Sequence, residues 1–276
     1  MHPDQRRRGD EYRLTETDIQ RFRDEGWVHL RDVLDESEVA QLEVDYERFL
    51  RGEIPVPGKD FCDMSGNYER DPESFAILNV MLPRRYYPAW RGNVLERRAA
   101  SIARQLHGDG LAIDYDQLLA KRPYRPDAVF GWHQDQAYWP LTTDPRTATI
   151  WLALDDSTIE NGCMRFVSRT HRGALRRHRP LHSDREESHA LVADVDEAAD
   201  VVECAQIRRG DVTVHDERVL HGSGGNSSPR WRRAYIVALR SESTIAEERA
   251  LGFTHSHEDP PEVLAEIARR AALARG

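Results

Sequence analysis

The spacing of apolar positions changes near residue 110. Before that point the period is mostly helical. "LTETDIQRFRDEG" (14–26) predicts a helix with Thr15 as its cap, acids in its first turn and Gly26 as its stop. "WVHL" (27–30) is short and apolar and predicts a strand. In "LDESEVAQLEVDYERFLRG" (34–52), Val39, Leu42, Tyr46 and Phe49 recur at helical spacing, and Gly52 terminates the run. "ERDPESFAILNVMLP" (69–83) and "GNVLERRAASIARQLHG" (92–108) are read as further helices. The first hundred or so residues are therefore expected to be largely helical.

After that point the apolar runs shorten and fill with Val, Ile, Leu and Thr. "LAIDYDQLLAK" (111–121), "TATIWLAL" (147–154), "MRFVS" (164–168), "VECAQI" (202–207), "DVTVHD" (211–216) and "RAYIVALR" (233–240) predict strands. Turn signals such as "ENG", "RRGD" and "GSGGNSSP" separate them. Short strands in series, without clear helices between them, predict an antiparallel sandwich or barrel. "PPEVLAEIARRAALARG" (260–276) predicts a closing helix with Pro260 and Pro261 at its start. With no internal repeat and no long linker, residues 14–276 are expected to form one domain. It has a helical part to about residue 110, a β core over about 111–240 and a C-terminal helix. Residues 1–13 are charged and lack the apolar segment of a secretory signal, and they are expected to be a disordered lead-in.

Composition narrows the function classes. The 276 residues are 39% hydrophobic and 32% charged, a soluble globular profile with enough chain for a real core. No run of about 18 apolar residues exists, so no membrane span is expected. The net charge of −9 argues against a nucleic-acid partner, whose phosphates need a basic surface. The basic run "RGALRRHRP" (172–180) reads as a solvated loop, its field partly cancelled by "DREESH" (184–189). Cys62, Cys163 and Cys204 are odd in number and widely spaced. They fit reduced thiols in a cytoplasmic protein better than a disulfide framework or a zinc site.

Among the 12 histidines, five stand two residues before an Asp: His2, His107, His133, His182 and His257. Only His133, in "GWHQDQAYWP" (131–140), opens a stretch that can be extended and lies among apolar and aromatic neighbours. On a strand, residues i and i+2 share a face. His133 and Asp135 would then aim at one ion, with Gln134 turned aside. His221, after a strand and before a Gly/Ser/Asn turn, offers a third ligand; an ordinary turn residue is the other reading. Two His and one carboxylate form a facial triad that leaves metal positions open, the pattern of non-haem ferrous oxygenases.

The chain also resembles the phytanoyl-CoA dioxygenase family of iron- and 2-oxoglutarate-dependent oxygenases. "LTETDIQRFRDEGWVHLRDVLDESEVAQLE" is similar to the family's opening helix–strand–helix, and "WHQDQAYWP" to its metal-binding strand. "ENGCMRFVSRTHRG" and "RRGDVTVHDERVLHGSGGNSSPRWRRAYIVAL" follow in the family's order. The resemblance implies a mostly β core with flanking helices, folded as a double-stranded β-helix, the cupin-like jelly roll. It implies Fe(II), 2-oxoglutarate and O2, with His133, Asp135 and His221 as both metal ligands and catalytic centre. The family's 2-oxoglutarate arginine follows the distal His by about eleven residues, which points to Arg232, with Arg230 and Arg233 close by. A guanidinium suits a carboxylate because it forks onto both oxygens. Ser223 matches a position touching the same carboxylate, and Gln134 and Trp151 match positions flanking the co-substrate. Gln117, Leu119 and Lys121 share a strand face that walls the co-substrate. His215 matches no ligand and is read as supporting or core. Asn161-Gly162 reads as a tight turn, and Asn226 and Ser228 as holding the turn after His221.

Related halogenases lack the carboxylate ligand, so Asp135 argues for oxygenation. Tyr138 and Trp139, with Tyr86, Tyr87 and Trp90 of "LPRRYYPAW", are candidates for a pocket that takes a bulky or ring-bearing molecule. The expected reaction is oxidation of an unactivated C–H bond of a small natural product, by hydroxylation, epimerisation, cyclisation or desaturation. An acyl-CoA or primary-metabolite hydroxylase and a non-catalytic jelly-roll binding protein are the alternatives. No nucleic-acid or membrane partner is expected, and the sequence assigns no oligomeric state.

Overall fold

The structure is a computed structural model that describes residues 5–140, 142–181, 190–196 and 198–273. In chain order it runs β1 (Arg7–Arg8), β2 (Glu11–Tyr12), α1 (Glu16–Glu25), β3 (Trp27–Leu30), α2 (Glu36–Leu50), β4 (Phe61–Asp63) and β5 (Ile77–Met81). Then come α3 (Pro83–Tyr86), α4 (Val94–His107), β6 (Leu111–Lys121), β7 (Phe130–His133), β8 (Thr147–Ala153) and β9 (Met164–Val167). The chain continues through β10 (His178–Pro180), β11 (Leu191–Ala193), β12 (Val202–Ala205), β13 (Val212–His215), β14 (Leu220–Ser223) and β15 (Arg232–Ser241). It ends with α5 (Glu242–Ala250) and α6 (Pro261–Leu273).

The helix starts follow local chemistry. Thr15 and Asp18 form a reciprocal capping box at α1, and Asp35 and Glu38 form another at α2. Gly26 ends α1 in the left-handed region at φ 83°. The Val39, Leu42, Tyr46 and Phe49 stripe of α2 is buried.

Strand parity builds the rest. Seven strands form one antiparallel sheet in the order β3-β13-β8-β15-β6-β5-β4. Odd positions of β15 (Tyr235, Val237, Leu239) and even positions of β8 (Ala148, Ile150, Leu152) face the helices in a large apolar core. The opposite parity, including Ala234, Ile236, Trp151 and Leu119, faces a second, four-stranded sheet, β12-β9-β14-β7. Two facing antiparallel sheets make the expected jelly roll. The helix side of the large sheet is almost wholly apolar. Its inner side carries Gln117, Lys121, Thr149, Thr213, His215 and Arg232, all buried.

Three expectations need correction. Residues 69–83 do not form a helix, because Ile77–Met81 is strand β5, paired with β4 and β6. Its residues are buried on both faces, so the apolar run has no two-fold alternation and its period does not separate strand from helix. The first 110 residues accordingly carry strands β3, β4 and β5 besides their helices. The lead-in is structured from Arg7, where β1 and β2 form a hairpin, with Tyr12 buried and its hydroxyl donating to Arg31 O at 2.7 Å. Helix α5, capped by Ser241, was not expected. No helix among the described residues is long and apolar enough to cross a membrane.

Candidate active site

β7 and β14 are hydrogen-bonded neighbours, and their register sets His221 directly opposite His133. Their ring centroids lie 4.2 Å apart. Asp135 sits one step beyond the strand reading: β7 ends at His133, and Asp135 opens a 3-10 turn through Tyr138. Gln134 is extended, so Asp135 still swings back toward the two imidazoles. His133 Nε2 and His221 Nε2 each lie 3.5 Å from Asp135 Oδ1. One ligand atom from each of the three residues falls within 4.8 Å of the others, and all three residues are buried.

The other ring nitrogens fix the tautomers. His133 Nδ1 donates to Gly131 O at 2.8 Å, and His221 Nδ1 donates to Val219 O at 3.0 Å. That leaves each Nε2 lone pair facing the centre, as a metal ligand requires. Burial, aided by the His133 charge, holds His221 well below the ordinary imidazole pKa. Burial opposes ionisation of Asp135, but His221, His133 and His215 outweigh it and hold the carboxyl well below its ordinary value. Two Nε2 lone pairs and an ionised carboxylate are the donor set of a divalent cation. His215, on β13, is 3.3 Å from Asp135 Oδ2 and supports that carboxylate from the large sheet.

Behind the triad, β6 and β15 pair Lys121 with Arg232. Both are buried, with Arg232 only 1% exposed. Arg232 Nη2 reaches Ser223 Oγ at 3.4 Å, and Lys121 Nζ donates to the same oxygen at 2.7 Å and also to Gly224 O. Arg232 Nε and Nη1 and Trp151 Nε1 have no hydrogen-bond partner among the described residues. The guanidinium lies 5.2 Å from the Trp151 ring centre. Burial pushes Arg232 down to about 10, and burial with the Arg232 and Arg165 charges holds Lys121 well below an ordinary lysine. The buried Arg232, with two orphaned N–H donors beside Ser223 and Lys121, fits a bound carboxylate, so the residues present suit 2-oxoglutarate.

The neighbours of Arg232 are otherwise engaged. Arg233 is tied to Asp155 at 2.7 Å and Glu43 at 2.5 Å, and Arg230 is exposed. Asn226 holds the turn after His221 by donating to Arg122 O and Arg230 O and accepting from Ser228. Gly162, at φ 82°, lies so close to Gly224 that a Cβ would stand 2.2 Å from its carbonyl, which locks the Asn161-Gly162 turn against that segment.

The triad opens into a cavity of about 910 Å³, part of it open to solvent. Gln117, Leu119, Trp151, Tyr138 and Trp139 line it, as do His133, Asp135, His215 and His221. Gln117 gives its amide to Asn79 Oδ1 at 2.6 Å. Four expected site residues are not in the cavity wall: Arg232, Ser223, Gln134 and Tyr87. The Gln134 side chain turns away to Arg218 O and Arg176 N, because alternation points it opposite to the ligands. Tyr87 packs in the helical core beside Phe49 and bonds Arg48, and Tyr86 and Trp90 are likewise outside the wall. The sequence reading missed Met64, Met81, Thr149 and the segment Phe253–His257 with Leu264 and Ile267. For Lys121 a signal existed, its shared parity with Gln117 and Leu119. For 253–257 none did, since a polar loop before a Pro pair carries no period. His2 and His182 lie outside the described residues. The three cysteines are free.

Comparisons with known proteins agree with this geometry. A "Probable alpha-ketoglutarate-dependent hypophosphite dioxygenase" of Stutzerimonas stutzeri is 28% identical over 220 residues, 78% of this chain and 75% of that protein. The crystal structure of EvdO2 from Micromonospora carbonacea var. aurantiaca complexed with 2-oxoglutarate superposes with a TM-score of 0.66 at 30% identity. That match covers 83% of this chain and 91% of the other. The non-haem alpha-ketoglutarate-dependent carbocyclase SnoK from nogalamycin biosynthesis matches with a TM-score of 0.63 at 26% identity, covering 82% and 83%. The family model for phytanoyl-CoA dioxygenase (PhyH) matches residues 22–234, so the chain belongs to the phytanoyl-CoA dioxygenase family of iron- and 2-oxoglutarate-dependent oxygenases.

Proposed function

We propose that this oxygenase oxidises an unactivated C–H bond of a small, ring-bearing natural product in a tailoring step. The observation that carries the reading is a metal-type triad in the wall of a largely apolar, aromatic cavity, with buried Arg232 against Trp151 of the same wall. His133, Asp135 and His221 would hold the iron. What iron supplies when bound is the coupling of dioxygen-driven oxidation of 2-oxoglutarate to oxidation of a substrate C–H bond. Arg232, Lys121 and Ser223 would take the distal carboxylate of 2-oxoglutarate, and Trp151 would wall it. Tyr138 and Trp139 would face substrate and exclude water. The protein contributes position and dryness rather than proton transfer.

The wall chemistry favours an organic ring. An oxyanion as small as hypophosphite would leave this apolar cavity unfilled. An acyl-CoA would need free basic groups for its phosphates. Arg172, Arg176 and Arg179 of the basic run 172–180 are already paired with Asp24, Asp200 and Asp194. Similarity to SnoK, a carbocyclase from nogalamycin biosynthesis, supports the tailoring class. The test is a metabolite screen read by succinate release. Metal-free protein should regain 2-oxoglutarate consumption with ferrous iron and not with zinc, and ring-bearing metabolites should stimulate it. Full activity with zinc alone would end the reading.

A further inference from the structure

A second buried group of acids and histidine, Asp114, Glu248 and His255, has ligand-type atoms within 4.8 Å of one another, and its His255 lines the same cavity. It is not a metal site. Arg240 bonds both Asp114 and Glu248, and Arg249 bonds Asp114, so guanidinium groups already hold the carboxylates. What this cluster does is hold one ring. His255 Nε2 donates to Asp114 Oδ2 at 2.8 Å and lies 3.3 Å from Glu248 Oε2. The ring stacks on Tyr115 at 4.8 Å and meets Phe253 at 4.6 Å and Trp139 at 5.6 Å. Its backbone is left-handed, φ 68°, a strain a β-carbon residue bears only where its surroundings impose it. Those surroundings are rigid. Asp60 accepts from Ser256 Oγ and His257 N, both at 2.7 Å, and Asp259 caps Thr254. Burial opposes a charge on His255, but Asp114 and Glu248 raise its pKa above the ordinary value.

One atom of this ring is left over. His255 is 4% exposed and lines the cavity, yet its Nδ1 makes no hydrogen bond with any described residue. Nε2 donates to Asp114 beside a second carboxylate, and the doubly protonated ring that these two acids favour presents Nδ1–H as a donor at the cavity wall. We propose that His255 is a substrate-orienting residue, donating from Nδ1 to an sp2 oxygen, ketone or carboxylate, borne by an aromatic or fused-ring substrate. That contact, with the Tyr115, Trp139 and Phe253 rings gripping the flat body, fixes which C–H bond faces the triad. The inference rests on the proposed function only in taking the cavity as the substrate site.

The test uses three probes of similar shape: 2-acetylnaphthalene, 2-naphthoate and 2-ethylnaphthalene. They are titrated by calorimetry into zinc-substituted protein with 2-oxoglutarate, which cannot turn over. At least one oxygen-bearing probe should bind about tenfold or more tighter than the ethyl compound, the worth of one hydrogen bond to a charged group. Which of the two binds better separates a neutral from an anionic acceptor. His255→Gln places its amide where Nε2 stands and removes the Nδ1 donor, so it should abolish the preference. His255→Asn places its amide where Nδ1 stands and tolerates the left-handed backbone, so it should retain a preference. Equal affinity for all three probes, or an unchanged preference in His255→Gln, overturns the proposal. Should the variants not fold, nitrogen-15 NMR of the wild-type ring decides. The Nδ1 resonance of His255 should move with a preferred oxygen-bearing probe and not with 2-ethylnaphthalene, and no movement overturns it. Failure of the oxygenase reading would show separately, as absent iron-dependent 2-oxoglutarate consumption.

Discussion

Arg232 and Arg240 stand on the same strand and the same inner face, eight residues apart, and both are almost fully buried. They differ in what meets them. Arg240 bonds Asp114 and Glu248, lies 3.2 Å from Glu217 and covers the Trp139 ring at 4.5 Å. Arg232 meets a hydroxyl, a tryptophan face and another cation, Lys121. A buried charge without a counter-charge costs several kcal/mol, and a fold retains one only where something outside the chain completes it. The compensated arginine is therefore part of the frame, and the uncompensated one is half of a binding site. The two metal-type clusters sort the same way. Arginines cover the carboxylates of Asp114 and Glu248, whereas the ion-pair contacts of Asp135 among the described residues are with the Nε2 atoms of His133, His215 and His221.

The sharpest break of this comparison is at the triad. His133→Ala or Asp135→Ala should lower iron-dependent 2-oxoglutarate turnover more than about 100-fold, beyond the usual loss from a supporting residue, with the circular dichroism spectrum unchanged. If His257→Ala does this and His133→Ala does not, the wrong His–Asp pair was chosen. Next in size is stability. Arg240→Met should destabilise the protein by roughly 3–5 kcal/mol in urea unfolding, because it strands buried carboxylates. Arg232→Met, measured without 2-oxoglutarate, should leave stability unchanged or raised. Equal losses at the two sites would erase the distinction.

Ligand affinity should separate them in the opposite order. Arg232→Ala should weaken anaerobic 2-oxoglutarate binding about tenfold to a hundredfold, from charge-assisted hydrogen bonds of roughly 1.5–3 kcal/mol. Arg232→Lys should recover little, since an ammonium cannot fork. Arg230→Ala and Arg233→Ala should be mild, and iron affinity should change far less than 2-oxoglutarate affinity.

The smallest effect, taken per pH unit, concerns an acid in the opposite predicament. Burial pushes Asp116 up to about 8, against the pull of Arg84, whose guanidinium is already 3.0 Å from Glu96. The folded protein then keeps a proton that the unfolded chain releases near pH 4. Stability falls as pH rises between those values, by up to about 1.4 kcal/mol per pH unit for this group. Asp116→Asn should flatten that slope between pH 5 and pH 8 in urea titrations. A slope unchanged by the substitution would place the titration elsewhere.

Much of this was written locally. Capping residues and stripe spacing set α1 and α2, and two-residue alternation put Gln117, Leu119 and Lys121 on one face. His133 and Asp135 stood out from the other His–Asp pairs because their neighbours were apolar and aromatic. Arg232 came from the family resemblance, whose arginine follows the distal His by about eleven residues. The others are properties of a few adjacent residues, and backbone geometry enforces them. Long-range pairing decided the rest. It made Ile77–Met81 a strand by placing it between β4 and β6, which no period in the run revealed. It set Lys121 against Ser223, 102 residues away, and withdrew Gln134 and Tyr87 from the wall. It also brought 253–257 across the cavity, anchored on Asp60 nearly 200 residues earlier. A side chain's face is fixed by its own backbone, but what it faces depends on which distant segment packs there, and that is settled only when the whole core closes.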